Sequence, residues 1–346
     1  MAPRRRPRRR RLLMALVLVI VAALIASTIY HLDQLALGPG EALPVTGPHG
    51  LISVPHQRSH PVHGRILLTT VSVSSVRAID WVFDKLNSNV ALVPTSEVFG
   101  NLSSSQFQQY DTAAMTFSQQ SATVVALRQL GYQVQEHPGA TIVEVAPGSP
   151  ASKGGVPLGS VLVAVDGQPV TSANQAVAAI RGHRPGEQVR LTVEKSAGGA
   201  PRTVSVTVAA RPHHPGEGYL GIAVTDGAWF QLPFEVEVTS AGIGGPSAGL
   251  AFTLGIIDEL SSGDLTGGKT VAATGVINLN GTVGDVGGVA QKTVAVRQAG
   301  ASVFLVPTKE YRTAESKAGP HLRVVAVANV AQALMALEHL GGHVAA

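Results

Sequence analysis

Two short segments of this 346-residue sequence place reactive side chains where catalysis would use them. In Ile243-Gly-Gly-Pro-Ser-Ala-Gly-Leu250 a serine stands at the head of an apolar stretch that runs to about Leu260. Leu250, Leu254, Ile257 and Leu260 recur at helical spacing, and Pro246 suits a first helical position. Ser247 then lies at a helix start, whose free N–H groups stabilise an anion. A nucleophile there has candidate oxyanion donors in the backbone of Gly244, Gly245 and Ser247. The second segment, Gly284-Asp-Val-Gly-Gly-Val-Ala-Gln-Lys-Thr-Val-Ala-Val-Arg297, puts Lys292 on an apolar stripe with Val289, Val296 and Ala299 and leaves Arg297 off it. Desolvation lowers the pKa of a buried lysine, and a neutral amine is what a serine needs as general base. Taken singly, Ser247 reads first as a helix cap, and Lys292 as an ammonium that snorkels to solvent.

The elements that must position these residues are read from periodicity. From Gly218 onward, glycine-rich turns alternate with apolar strands and helices in an α+β or α/β pattern. Phe234-Glu-Val-Glu-Val-Thr-Ser240 alternates like a strand, leads into the nucleophile turn, and is a candidate to pair with extended substrate. Upstream, the patterns predict a strand over Ile66–Val73, a helix over Val76–Leu86 and a largely helical Ser104–Leu130. Next come strands at Thr141–Val145 and Ser160–Val165, a hairpin turn at Asp166-Gly167, a helix over Ser172–Arg181, and strands at Gln188–Glu194 and Thr203–Ala209. Residues 31–63, with five prolines and with His56, His60 and His63 lacking acidic partners, read as a solvated linker and not a metal site. Residues 64–126 form an α/β region whose role the sequence does not reveal.

Composition narrows the field. Seven of the 26 Lys+Arg fall in the first eleven residues, so the rest of the chain sets 19 bases against 22 acids. A mildly acidic body has little electrostatic reason to bind nucleic acid. Cysteine is absent, which excludes thiol nucleophiles, disulfides and thiolate metal sites. Behind the arginines, Leu12–Tyr30 is a run of uncharged, mostly apolar residues, nearly the ~20 residues a membrane-spanning helix requires. Arginines 4–6 and 8–11 before it, and none just after, predict a cytoplasmic N-terminus and an extracytoplasmic body. A cleaved signal peptide competes with this reading, but the run exceeds a secretory h-region and lacks a clear A-x-A site. Gly263-Asp-Leu-Thr-Gly-Gly-Lys-Thr270 fits a P-loop spelling, yet it follows a helix and leads into a strand, the reverse of a working P-loop, and ATP binding is rejected.

The segments around Ser247 and Lys292 resemble the Lon protease domain: Gly245-Pro-Ser-Ala-Gly249 and Gly287-Gly-Val-Ala-Gln-Lys292, with Gly263-Asp-Leu-Thr-Gly-Gly268 and Thr274-Gly-Val-Ile-Asn-Leu-Asn-Gly281 between them in order. That resemblance implies a Ser247–Lys292 dyad, with Thr274 hydrogen-bonding the lysine. One departure is plain: where ATP-dependent relatives carry an acidic residue three positions before the nucleophile, this chain has Gly244. About Leu127–Arg211 resembles a PDZ domain of the bacterial protease-associated type, through Gly148-Ser-Pro-Ala151, Gly159-Ser-Val-Leu-Val-Ala-Val-Asp-Gly167 and Pro169-Val170. By that resemblance Leu130, Gly131 and Tyr132 form the carboxylate loop, and Ala176 and Ile180 lie on the groove helix.

The order of parts is similar to that of bacterial membrane-anchored PDZ–Lon proteins. It implies a basic tail (1–11), a transmembrane helix (12–30), a linker (31–63), the α/β region (64–126), a PDZ-like β-sandwich (127–211) and a Lon-type α/β proteolytic domain (212–346). The expected activity is an ATP-independent serine endopeptidase that uses neither cofactor nor metal. It would meet lipid through residues 12–30 and act on unfolded or tail-exposed proteins, with a hexameric ring implied by resemblance. The competing reading is a membrane-tethered peptide-binding scaffold whose protease domain is inactive.

Overall fold

The computed structural model describes residues 7–194 and 201–344; side chains at 7–11 and 22–26 also lie outside the described residues, and with them the arginines of the tail. The chain opens with helix α1 (Pro7–Ile29). Among the described residues no helix is long and apolar enough to cross a membrane. Strand β1 (His31–Pro44) follows at once, then the short β2 (Ile52–Ser53), β3 (Arg65–Arg77), α2 (Ala78–Leu86), β4 (Ala91–Pro94), α3 (Thr95–Phe99) and the long α4 (Ser104–Gln129). Residues 31–63 are therefore no linker. β1 pairs antiparallel with β3, and Leu35, Ala36, Val45 and Ile52 are buried. Pro39 is tolerated inside β1 because the ladder slips between Pro39 and Ala42, at a bulge that needs no amide from proline. The helix expected from Val76 begins instead at Ala78, since the strand carries on through Arg77.

A second unit is inserted after α4. It holds β5 (Gln135–Val145), α5 (Pro150–Gly154), β6 (Val161–Val165), β7 (Gln168–Pro169), α6 (Ala173–Arg181), β8 (Gln188–Glu194), β9 (Arg202–Thr207), β10 (Ala209–Arg211), β11 (His214–Tyr219) and β12 (Ile222–Gln231). Its sheet runs β12-β5-β6-β8-β9, with β7 on β6. Asp166 and Gly167 turn the β6–β7 hairpin with φ of 48° and 80°, as a type I′ turn requires. Ser172 caps α6 by accepting from the N–H of Gln175. The unit's first and last strands, β5 and β12, pair with each other from Gln135↔Gln231 to Val145↔Ile222, so the chain leaves and re-enters the main body at one place. The expected boundaries at 127, 211 and 212 are corrected accordingly: β11 and β12 belong to the insert, and the other domain is split around it.

After re-entry come β13 (Glu237–Val238), α7 (Gly249–Leu260), β14 (Thr270–Ala273), β15 (Val276–Ile277), β16 (Val283–Gly284), α8 (Val289–Gln298), β17 (Val303–Pro307), α9 (Tyr311–Ala318), β18 (Arg323–Val327) and α10 (Val330–His339). The main sheet is ordered β18-β17-β14-β3-β1-β4, parallel from β18 to β3 and antiparallel beyond. Strand alternation divides its side chains between two cores. Ile66, Leu68, Val271, Ala273, Val303 and Leu305 join α4, α7 and α10 on one face. Leu67, Ala272, Phe304 and Val306 meet α8 and α9 on the other. Residues 64–126 thus supply a central strand and a core helix of this domain.

Candidate active site

Helices α7 and α8 pack on opposite faces of the sheet, yet both reach the carboxyl end of β14, where parallel α/β sheets commonly place their sites. The residue just after β14 is Thr274, fully buried, with its N–H on the carbonyl of Leu305. The next residue, Gly275, donates its N–H to the Ser247 carbonyl (2.9 Å), and Leu250 donates back to the Gly275 carbonyl (3.0 Å). The turn that carries Ser247 is thereby laced to the strand end. Pro246–Ala248 forms a 3₁₀ turn ahead of α7, so the helix proper begins later than Pro246. Neither the turn nor α7 carries a side-chain cap, which removes the capping explanation for Ser247.

Lys292 approaches from the other face. Gly288 starts α8 at φ 67°, and a side chain there would meet Val71, so glycine is required on both counts. One turn later Lys292 is 3% exposed. Its Nζ donates to Ser247 Oγ at 2.6 Å and to Thr274 Oγ1 at 3.1 Å, while Thr274 Oγ1 donates to the Ser247 carbonyl at 3.2 Å. No ion pair among the described residues includes Lys292. Burial without a counter-charge pushes its pKa down from 10.5 to about 8. Arg297, off the stripe, is exposed. The arrangement supplies a half-buried hydroxyl, an amine that is about half free near pH 8, and a threonine fixing that amine.

The other expected site residues fare differently. Gly245 N–H donates to the backbone carbonyl of Asp111 (3.0 Å), so of the three expected oxyanion donors this one is already engaged. Ser247 N–H lies in the first turn of the 3₁₀ segment, where donors lack intrahelical partners. Of Phe234–Ser240, only Glu237–Val238 is a strand, and it pairs with β2. Leu130, Gly131 and Tyr132 are not a carboxylate loop. They end α4: Gly131, at φ 81°, donates to the Arg128 carbonyl, and Tyr132 donates to that of Leu127, a Schellman motif, with Leu130 and Tyr132 packed on the main core. A glycine one residue beyond a long helix, followed by an aromatic, was the available signal. Ala176 and Ile180 are buried on α6, in the insert's own core. The P-loop-like segment lies between α7 and β14, and its Lys269 donates to the Leu340 carbonyl.

Asp111 and Ser118 of α4 went unnoticed in the sequence. Ser118 Oγ donates to the Pro246 carbonyl at 2.9 Å. The Asp111 carboxylate lies against Gly244 and Gly245 and fills the space a side chain at 244 would take. Burial raises its pKa. No local motif marks either residue, because both reach the turn from a distant helix.

Residues 236–337 match the Lon protease (S16) C-terminal proteolytic domain, and residues 141–195, within the insert, match the PDZ domain. Serine protease PepD of Mycobacterium tuberculosis is 46% identical over 82 residues, which cover 23% of this chain and 18% of that protein. Lon protease of Ureaplasma parvum is 36% identical over 97 residues, 28% of this chain and 12% of its own length. Lon protease 2 of Bacillus subtilis is 38% identical over 77 residues, 21% of this chain and 14% of its own length. The matched part is less than a fifth of each of these relatives.

Proposed function

We propose that this chain, which combines a PDZ domain with a Lon-type proteolytic domain, is a serine endopeptidase working through a Ser247–Lys292 dyad without ATP. The observation that carries the reading is the 2.6 Å contact between Lys292 Nζ and Ser247 Oγ in a site that depresses the lysine's pKa to about 8. The neutral amine takes the Ser247 proton as Oγ attacks the scissile carbonyl, and the resulting ammonium then protonates the leaving amine. Thr274 Oγ1 holds Nζ on the attack line throughout. The N–H groups of Gly244 and Ser247 are the remaining donors to hold the developing oxyanion.

Recruitment falls to the insert. β12 is an edge strand of its sheet, and α6 is tied to it where Ala173 N–H donates to Asp226 Oδ1 (2.7 Å). A substrate's C-terminal tail would add as a further strand beside β12, with the Tyr219-Leu220-Gly221-Ile222 turn at its carboxylate end. The apolar run 12–30 anchors the chain in the membrane with the body outside, and unfolded or tail-exposed proteins are the substrates.

The test is digestion of casein, without ATP, by the purified full chain beside Ser247→Ala and Lys292→Met. Cleavage by the wild type alone is expected; equal cleavage by the variants would assign the activity elsewhere. No cleavage by any form favours the inactive scaffold. For topology, the chain's lack of cysteine makes Lys153→Cys, exposed on the insert, a single reporter. An impermeant maleimide should label it on intact cells, and labelling only after lysis rules out the outward orientation.

A further inference from the structure

The nucleophile turn contains two adjacent glycines, the residue type with most backbone freedom to lose, so something outside it must fix its shape. On the strand side, Ser247 is held through its carbonyl by Gly275 N–H and Thr274 Oγ1. On the other side, α4 takes hold at two points. Asp111 accepts the Gly245 N–H on its backbone carbonyl (3.0 Å), and two helical turns later Ser118, 3% exposed, donates Oγ to the Pro246 carbonyl (2.9 Å). Between these bonds the Asp111 carboxylate packs on the glycines. A Cβ at 244 would overlap it, and one at 245 would stand 3.2 Å from Oδ1. No ion pair among the described residues engages this carboxylate.

We propose that Asp111 and Ser118 are positioning residues for the nucleophile, forming a clamp on α4 that holds turn 244–247 so that Ser247 Oγ stays on Lys292 Nζ. The inference rests on the dyad reading above, and both residues lie outside the stretch that matches the Lon proteolytic domain. The side chain at 111 acts by occupying the space over Gly244 and Gly245, and its carbonyl fixes Gly245; the hydroxyl at 118 fixes Pro246. Neither group touches the reacting atoms, and the clamp does not determine which substrate binds.

The test uses the full chain with a fluorogenic peptide cut from casein, and a peptidyl boronic acid whose tetrahedral adduct on Ser247 imitates the intermediate. Displacements of an ångström at a reacting atom cost up to about a hundredfold in rate. Ser118→Ala and Asp111→Ala are each expected to lower kcat by ten- to a hundredfold, at the order of magnitude this displacement implies. KM should hold, boronate affinity should weaken in parallel, and Tm should change little. Asp111→Asn, which fills the same space, should restore most of kcat. Gly244→Ala should be inactive alone, and adding Asp111→Ala should recover it to the level of Asp111→Ala. Wild-type kcat in both alanine variants overturns the clamp. So does a loss explained by a smaller folded fraction, with boronate affinity per folded molecule unchanged. If the wild type cuts nothing, or Ser247→Ala still cuts, the dyad reading fails and takes the clamp with it. An active wild type with unaffected clamp variants overturns the clamp alone.

Discussion

Replacing Lys292 with methionine should end catalysis and stabilise the fold at neutral pH. The side chain is 3% exposed with no ion-pair partner, and burial lowers its pKa from 10.5 to about 8. At about 1.36 kcal/mol per pH unit, holding it charged at pH 7 costs the folded state about 3 kcal/mol relative to the unfolded chain. Methionine has similar reach and no charge, but it forfeits the bonds to Ser247 and Thr274, worth about 1 kcal/mol each. The net gain at pH 7 is therefore about 1–2 kcal/mol, or a few degrees in Tm. The pH dependence is the sharper signature. From about pH 8 to 10.5 the folded wild type binds fewer protons than the unfolded chain, so its stability rises through that window and the variant's does not. Above it the lysine is neutral in both states, its hydrogen bonds count in full, and the wild type should be the more stable. Denaturant titrations at about pH 7, 9 and 11 follow the crossing. A variant that is less stable at pH 7 by a margin independent of pH would refute the argument that Lys292 is a strained, proton-releasing base.

Peptidase kcat/KM should climb with unit slope as pH rises and level off above about 8, because only the free amine serves as base; a flat profile between about pH 6 and 9 excludes Lys292 from that role. Asp258 is 3% exposed, its Oδ2 has no partner, and burial raises its pKa to about 7. The folded state holds its proton longer than the unfolded chain, so stability falls as pH rises from about 4 to 7, and Asp258→Asn should recover about 2–4 kcal/mol at pH 8 and nothing at pH 4, read from paired denaturant melts. Gly288→Ala would place a side chain at φ 67° against Val71, so it should lower stability by about 1–2 kcal/mol and reduce kcat by tilting the helix start that carries Lys292; calorimetry and peptidase assays on the same preparation check both.

The Ser247–Lys292 pair was legible through the resemblance that the two segments carry together, since each residue alone has a plainer reading. Ser247 follows a proline in a glycine-rich turn before an apolar helix, and Lys292 interrupts a hydrophobic stripe. What brings them together was not legible, since it depends on α7 and α8 covering opposite faces of a sheet and converging only at the carboxyl end of β14. The misreadings share a cause. Proline and glycine in residues 31–63 suggested a linker, but Pro39 sits at a bulge and the neighbouring strand supplies the pairing that local propensity does not. Gly131 suggested a binding loop, but it is a helix terminator whose partner, the Arg128 carbonyl, lies one turn back. Asp111 and Ser118 carry no motif at all, because their meaning comes from a turn far along the chain.

The inserted unit explains why that distance is not a burden. Closing a flexible loop costs entropy that grows with its length, and the Gly245–Asp111 bond nominally closes a very long one. The insert is not flexible chain, however. Its own core is closed by Ala140, Leu162, Val189 and Val204, among others, and its first and last strands are paired from Gln135↔Gln231 upward. The ends that must meet are already side by side once the insert has folded. What remains to be closed is a few residues on either side, between Gln129 and Gln135 going in and between Gln231 and Glu237 coming out. One crossing is the continuation of α4, which grips the nucleophile turn; the other leads through β13 into the turn itself. The β5–β12 ladder therefore joins, outside the main sheet, the same two segments that the Asp111 and Ser118 bonds join inside it, and the nucleophile turn is held at both ends of that closed circuit.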